Sequence, residues 1–173
     1  MYICRGINHL IVLHMRQYEV TSRIAVFEME ELPVEDRELV EAACRVTESS
    51  YAPYSHLHVG AAARLSDGTI FVGSNQEAAA FPSGMCAERT TLYAALAQHP
   101  DQKVLALAIA AQTGGHFLED PITPCGACRQ VMLETEDRLG QDIRVLLYGT
   151  KGVHVLQNVK SLLPLYFVAD CMK

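Results

Sequence analysis

Val104-Leu105-Ala106-Leu107-Ala108-Ile109-Ala110 is an unbroken apolar run of strand length. A strand apolar on both faces must be covered on both faces, which belongs to a sheet sandwiched between helices. Segments on either side supply those helices. Upstream, Cys86 to Leu96 places Leu92, Ala95 and Leu96 on one side of a helix. Downstream, Pro124 begins a helix that continues from Cys125 to about Arg138. Ile143 to Tyr148 is a second buried strand, and Gly152 to Leu156 a shorter one after the turn region 149–152.

Farther from the central run, Val59 to Leu65, the turn Asp67-Gly68, and Thr69 to Gly73 form a β-hairpin pattern. Pro33 opens a helix carried by Leu39, Val40, Ala43 and Val46, which stops near Ser49-Ser50 ahead of Pro53. Thr21 to Glu28 leans towards strand, with Ile24, Val26 and Phe27 apolar, and Asn158 to Leu163 forms a last short helix cut by Pro164. Strands alternating with helices predict the α/β class: a three-layer α/β/α mixed sheet of about five strands.

The chain has 173 residues, enough to bury one core without staples, and no repeat or low-complexity linker divides it. The expected organisation is an N-terminal extension over 1–19 and a single domain over 20–173. Leu10 to Leu13 is apolar but closed in by Asn8, His9, His14 and Arg16, too short for a membrane span or an export signal. Met15 is a second candidate start. The net charge is -6, and Lys and Arg occur only singly, so no basic run offers itself to a phosphate backbone. A small neutral or cationic partner is expected, with no nucleic acid and no membrane.

The chain has six cysteines. Cys86, Cys125 and Cys128 sit in turns rich in Gly, Pro and Ala, whereas Cys4, Cys44 and Cys171 are isolated. Without an export signal, clustered cysteines point to metal or catalysis in a reducing compartment, the cytoplasm, rather than to disulfides. Cys125 and Cys128 are three apart on a helix and present their sulfurs on one face. Cys86, at the start of another helix, can supply a third thiolate. Three protein ligands leave a position for water, as catalytic zinc requires. Both segments lie at helix N-termini, where free N–H groups favour thiolate. Glu88 stands two residues past Cys86, placed to take and return a proton. Arg89 can offset part of the excess negative charge of three thiolates.

Plainer readings compete. A lone C-x-x-C is also a redox pair or half of a structural zinc site, for which Cys44, His56 or His58 would be the fourth ligand. Glu88 could be a first-turn helix-stabilising carboxylate. Asn75 and Glu77, taken alone, read as turn residues.

Six stretches together carry a resemblance: Tyr51-Ala52-Pro53-Tyr54-Ser55, Val59-Gly60-Ala61-Ala62, Asn75-Gln76-Glu77, Cys86-Ala87-Glu88-Arg89, Pro124-Cys125-Gly126-Ala127-Cys128-Arg129-Gln130 and Leu162-Leu163-Pro164-Leu165. In order and spacing, over nearly all of 21–167, the chain resembles the small homotetrameric cytidine deaminases. The resemblance implies hydrolysis of cytidine or deoxycytidine to the uridine product and ammonia, in four identical subunits with shared active sites. It implies zinc on Cys86, Cys125 and Cys128, and Arg89 as the charge-balancing residue. Glu88 becomes the proton shuttle, serving first N3 of the pyrimidine and then the leaving amine; a non-ligand Glu beside three ligands is common to zinc deaminases. Asn75 and Glu77 would hold the ribose, while the backbone around Ala87 and Cys125 would orient the base. The role implied is nucleoside salvage of pyrimidines.

The sequence also departs from the pattern. Leu57 stands where the family stacks a Phe on the base, Phe81 where a Tyr is frequent near the ribose, and Ala78 where an Asn is common. These changes leave open a different cytosine nucleoside, such as a nucleoside antibiotic. The non-enzyme alternative is a zinc-stapled binding module, which needs a fourth ligand and has no use for Glu88. Tyr166-Phe167 could lend an aromatic to a neighbouring site or pack on the chain's own core.

Overall fold

The apolar run becomes β4 (Val104–Thr113), and the sheet is built around it in a computed structural model that describes residues 16–172. The other strands are β1 (Ala25–Phe27), β2 (His58–Leu65), β3 (Ile70–Ser74), β5 (His116–Phe117), β6 (Arg144–Gly149) and β7 (Gly152–Leu156). Their order across the sheet is β1-β7-β6-β4-β2-β3, with β5 pairing back onto β4. β4 and β6 run parallel and every other pairing is antiparallel, so the sheet is mixed. The sheet has seven strands rather than about five. β5 has only two residues, reached through Gly114 and Gly115, both at positive φ, and carries no periodicity of its own. β1 covers three residues instead of the whole stretch 21–28, because this edge strand has only β7 to pair with.

The helices are α1 (Val34–Val46), α2 (Ala87–Gln98) and α3 (Gly126–Leu139). Strand alternation assigns each to a side. Ala62 on β2, Ala106, Ala108 and Ala110 on β4, and Leu146 on β6 pack with Leu39, Val40 and Ala43 of α1. Ala61 and Ala63, Leu107 and Ile109, and Val145 and Leu147 face the other way, onto Leu92 and Ala95 of α2 and Met132 and Leu133 of α3. The result is the three-layer α/β/α arrangement. The small residues of β2 and β4 let α1 lie close: a Cβ on Gly60 would sit 2.1 Å from the Ala43 carbonyl oxygen. Gly140, at φ 60, ends α3 in the left-handed conformation.

The first fifteen residues of the expected extension, with Met15 and Cys4, lie outside the described residues. Residues 16–19 are exposed and in neither helix nor strand. No helix among the described residues is long and apolar enough to cross a membrane.

Candidate active site

Two helix beginnings meet where the sheet ends beside His58. Cys86 is the N-cap of α2 and Cys125 the N-cap of α3, and neither side chain caps its own helix. Cys128 lies one turn into α3 and is fully buried. The sulfur separations are 3.8 Å for Cys86 to Cys125 and 3.5 Å for Cys125 to Cys128. All three lie within 4.8 Å of one another. Arg89 donates to Cys86 Sγ at 3.6 Å.

These thiols do not share protons evenly. Cys86 is held down to about 5, chiefly by the neighbouring Cys128 thiol, with Arg89 adding a charged donor. Cys128 is driven up by the neighbouring Cys86, by burial and by Glu88 beside it. Packed this closely, the three thiols resist all being ionised together. A thiophilic divalent cation removes that resistance, and three converging thiol sulfurs suit zinc in number and softness. The residues present fit the ion. Among the described residues the metal-ligand group stops at three. Of the other candidates, Cys44 lies on α1, on the far side of the sheet, its thiol pushed up to about 12 by burial. His58 Nδ1 is hydrogen-bonded to the Ser50 hydroxyl. His56 holds a left-handed φ of 56° in the loop before Leu57.

A cavity of about 290 Å³ opens onto the thiols. Leu57, Val59 and Ile122 form its apolar wall, Cys86, Glu88 and Cys125 its thiol end, and Asn75 and Glu77 its polar end. Ala87, fully buried at the start of α2, completes the floor. Glu88 is only 4% exposed, and burial raises its carboxyl above the usual range. A larger cavity of about 690 Å³ lies at the opposite end of the sheet, between Arg64 and Arg144, and no thiol lines it among the described residues.

Asn75 and Glu77 are also structural. The Asn75 side chain accepts from the Val59 N–H at 2.8 Å and donates to the Leu57 carbonyl at 2.9 Å. Glu77 Oε2 accepts from the N–H groups of Tyr54 at 2.8 Å and Ser55 at 3.3 Å. Hydrogen bonds from the Ser55 hydroxyl and the Tyr54 N–H hold its carboxyl below the usual range. The two residues thus pin the 54–57 loop that presents Leu57. Phe81 is not brought into this cavity: it is 74% exposed and packs edge-on against Tyr54, with centroids 5.8 Å apart. It borders an adjoining outer hollow with Ala78 and Arg89. Ser55, Val59, Ile122 and Thr123 also line the inner cavity and were not among the residues expected there. Ser55 and Val59 lie within two of the stretches that carry the resemblance, and Ile122-Thr123 directly precede Pro124-Cys125.

Residues 33–139 match the family described as the cytidine and deoxycytidylate deaminase zinc-binding region. A cytidine deaminase from Halalkalibacterium halodurans is 38% identical over 134 residues, covering 78% of this chain and 95% of the relative. Another from Sporosarcina psychrophila is 38% identical over 126 residues, covering 73% of this chain and 86% of the relative. Among solved structures, a cytidine deaminase from Burkholderia pseudomallei superposes with a TM-score of 0.63 at 41% identity, covering 75% of this chain and 97% of that one.

Proposed function

The chain belongs to the zinc-binding cytidine and deoxycytidylate deaminase family, and from that premise we propose that it hydrolyses cytidine or deoxycytidine to uridine or deoxyuridine and ammonia. The observation that carries this reading is Glu88, a buried carboxylate in the same 290 Å³ cavity as the thiols of Cys86 and Cys125. A structural zinc staple has no use for a carboxylate there.

Cys86, Cys125 and Cys128 hold the ion, and Arg89 offsets part of their charge through Cys86. When bound, zinc supplies Lewis acidity that makes water a nucleophile near neutral pH. Glu88 takes one proton from the attacking water and delivers it to N3 as the water oxygen bonds to C4; it then takes the proton of the resulting C4 hydroxyl and gives it to the amine, which leaves as ammonia as the C4 carbonyl forms. Its burial keeps bulk water from competing for that proton. Leu57, Val59 and Ile122 enclose the base, and the start of α2 at Ala87 orients its polar edge. Asn75 and Glu77 receive the ribose: the amide keeps one N–H beyond its bond to Leu57, and Glu77 keeps Oε1 beyond its loop bonds.

A free nucleoside fits better than a nucleotide, because among the described residues no Lys or Arg lines the inner cavity. The same argument disfavours a polynucleotide. The exposed rim of Tyr51, Tyr54 and Phe81 suits a neighbouring copy covering the mouth, and so a homotetramer with shared sites. In that assembly Phe81 reaches substrate from the rim, not from the inner wall. We take residues 20–173 as one such domain, working in pyrimidine salvage in the cytoplasm, where the three thiols stay reduced.

The test is loss of ultraviolet absorbance with cytidine, deoxycytidine and cytidine monophosphate, with ammonia counted against product. Turnover of both nucleosides, one ammonia each, and little of the monophosphate is expected. A zinc-loaded chain that leaves both nucleosides intact would overturn the reading.

A further inference from the structure

The segment that delivers Cys125 packs through Ile122 and the buried Pro124 but lacks backbone ties. Among the described residues, Ile122, Thr123 and Pro124 make no backbone-to-backbone hydrogen bond. Yet this segment sets one sulfur of the triad and, through Ile122 and Thr123, one wall of the substrate cavity.

One side chain supplies the missing hold. Arg129, one residue past Cys128 in the first turn of α3, folds its guanidinium back over the segment. Its Nε donates to the Pro124 carbonyl at 2.8 Å, and one terminal nitrogen donates to the Thr123 hydroxyl at 2.8 Å. The other terminal nitrogen donates to the Leu162 carbonyl, also at 2.8 Å. That third partner is itself anchored. Leu162 closes the short turn Val159–Leu162, whose first N–H is held by Glu136 Oε1 at 2.7 Å, from farther along the same helix. Glu136 Oε1 also takes the Ile143 N–H at 2.8 Å, tying the turn to the start of β6.

We propose that Arg129 is a positioning residue for the metal centre, clamping Thr123-Pro124 between α3 and the Val159–Leu162 turn so that Cys125 and the cavity wall stay in register. The inference rests on the zinc reading of the triad. A planar fork with fixed donors can meet three oxygens in three directions, which a lysine ammonium on a flexible stem cannot reproduce. Groups that orient metal ligands typically change metal affinity by about 10- to 100-fold when removed. The proposal therefore concerns the ion as well as the fold.

The experiment compares wild type, Arg129→Gln, Arg129→Lys and Thr123→Val. Zinc affinity is read by competition with a chelator, and ligand geometry from the thiolate-to-metal bands of the cobalt(II)-loaded protein. Arg129→Gln is expected to lose about 10- to 100-fold in zinc affinity and to shift the cobalt bands. Arg129→Lys should resemble it, and Thr123→Val, which removes a single bond, should lose a few-fold. A folded Arg129→Gln with wild-type affinity and spectrum overturns the clamp, as does full rescue by lysine, which would reduce the effect to charge. If Arg129→Gln does not fold, Thr123→Val decides: wild-type affinity and spectrum there overturn the proposal. A wild-type chain that binds no zinc overturns the metal reading itself, an outcome distinct from the others.

Discussion

Leu57→Phe is expected to tighten the hold on the pyrimidine without touching the chemistry. Leu57 is half-buried, packed on the core on one side and lining the cavity on the other. The wall it shares with Val59 and Ile122 is aliphatic, and among the described residues no aromatic lines the inner cavity. A base bound there gains burial but no ring-on-ring contact. An aromatic pair is worth about 0.5–1.5 kcal/mol beyond area. At about 1.4 kcal/mol per decade, that lowers KM by about 2- to 12-fold. Stacking is present equally in the ground state and the transition state, so kcat should stay constant. The assay is steady-state cytidine turnover at matched zinc content, with competitive inhibition by uridine as a direct readout of binding. The main-chain hydrogen bond from Asn75 to the Leu57 carbonyl is untouched by the side-chain change, so the loop should hold. If KM and the uridine inhibition constant both stay at wild-type values, Leu57 does not face the base and the assignment of this wall is wrong.

Two further outcomes follow from the packing around α1. Burial raises the Cys44 thiol to about 12 from an ordinary 9.0, so folding favours the neutral form. The stability tied to that preference is whole below pH 9, falls as pH rises, and is gone above 12. By pH 10 about 1.4 kcal/mol should be lost; denaturant titrations of Cys44→Ala should give a curve flatter by that amount, and an unchanged slope would contradict it. Gly60→Ala should cost about 3 kcal/mol or more, since the new Cβ would lie 2.1 Å from the Ala43 carbonyl oxygen. A melting temperature within a degree of wild type would mean that α1 sits farther from the sheet.

What the sequence reveals here depends on how local the cause is. Val104–Ala110 announces a doubly covered strand because every side chain in it is apolar, and the structure extends that strand to Thr113. The turn at Asp67-Gly68 is legible because Gly68 takes φ 87 and Asp67 accepts from the Thr69 N–H, both local acts. β5 is not legible: two residues carry no period, and they pair only because β4 is already in place. The thiol cluster was readable from its helix-start spacing, and Glu88 from its place beside Cys86. Asn75 and Glu77 look like turn residues because that is half of what they do, pinning the 54–57 loop while facing the cavity. Ile122 and Thr123 became cavity wall only when α3 met α2, a long-range event that no local pattern records. Phe81, placed by resemblance near the ribose and a neighbouring subunit, borders the outer hollow rather than the inner cavity within one chain. Nothing in the structure explains why Ala stands at position 78.

If the buried Glu88 carboxylate beside the three thiols drives hydrolysis, Glu88→Gln should abolish it. The substitution keeps volume and leaves all three thiols in place. Glu77, the other carboxylate lining the cavity, is a poor substitute base because hydrogen bonds hold its pKa down. Positioned acid–base groups contribute about 10²- to 10⁴-fold, and with no understudy the upper end applies here. Glu88→Gln, purified with the same zinc content as wild type, should lose about 10⁴-fold in cytidine turnover, roughly 5 kcal/mol of barrier. Turnover within tenfold of wild type at equal zinc would contradict it.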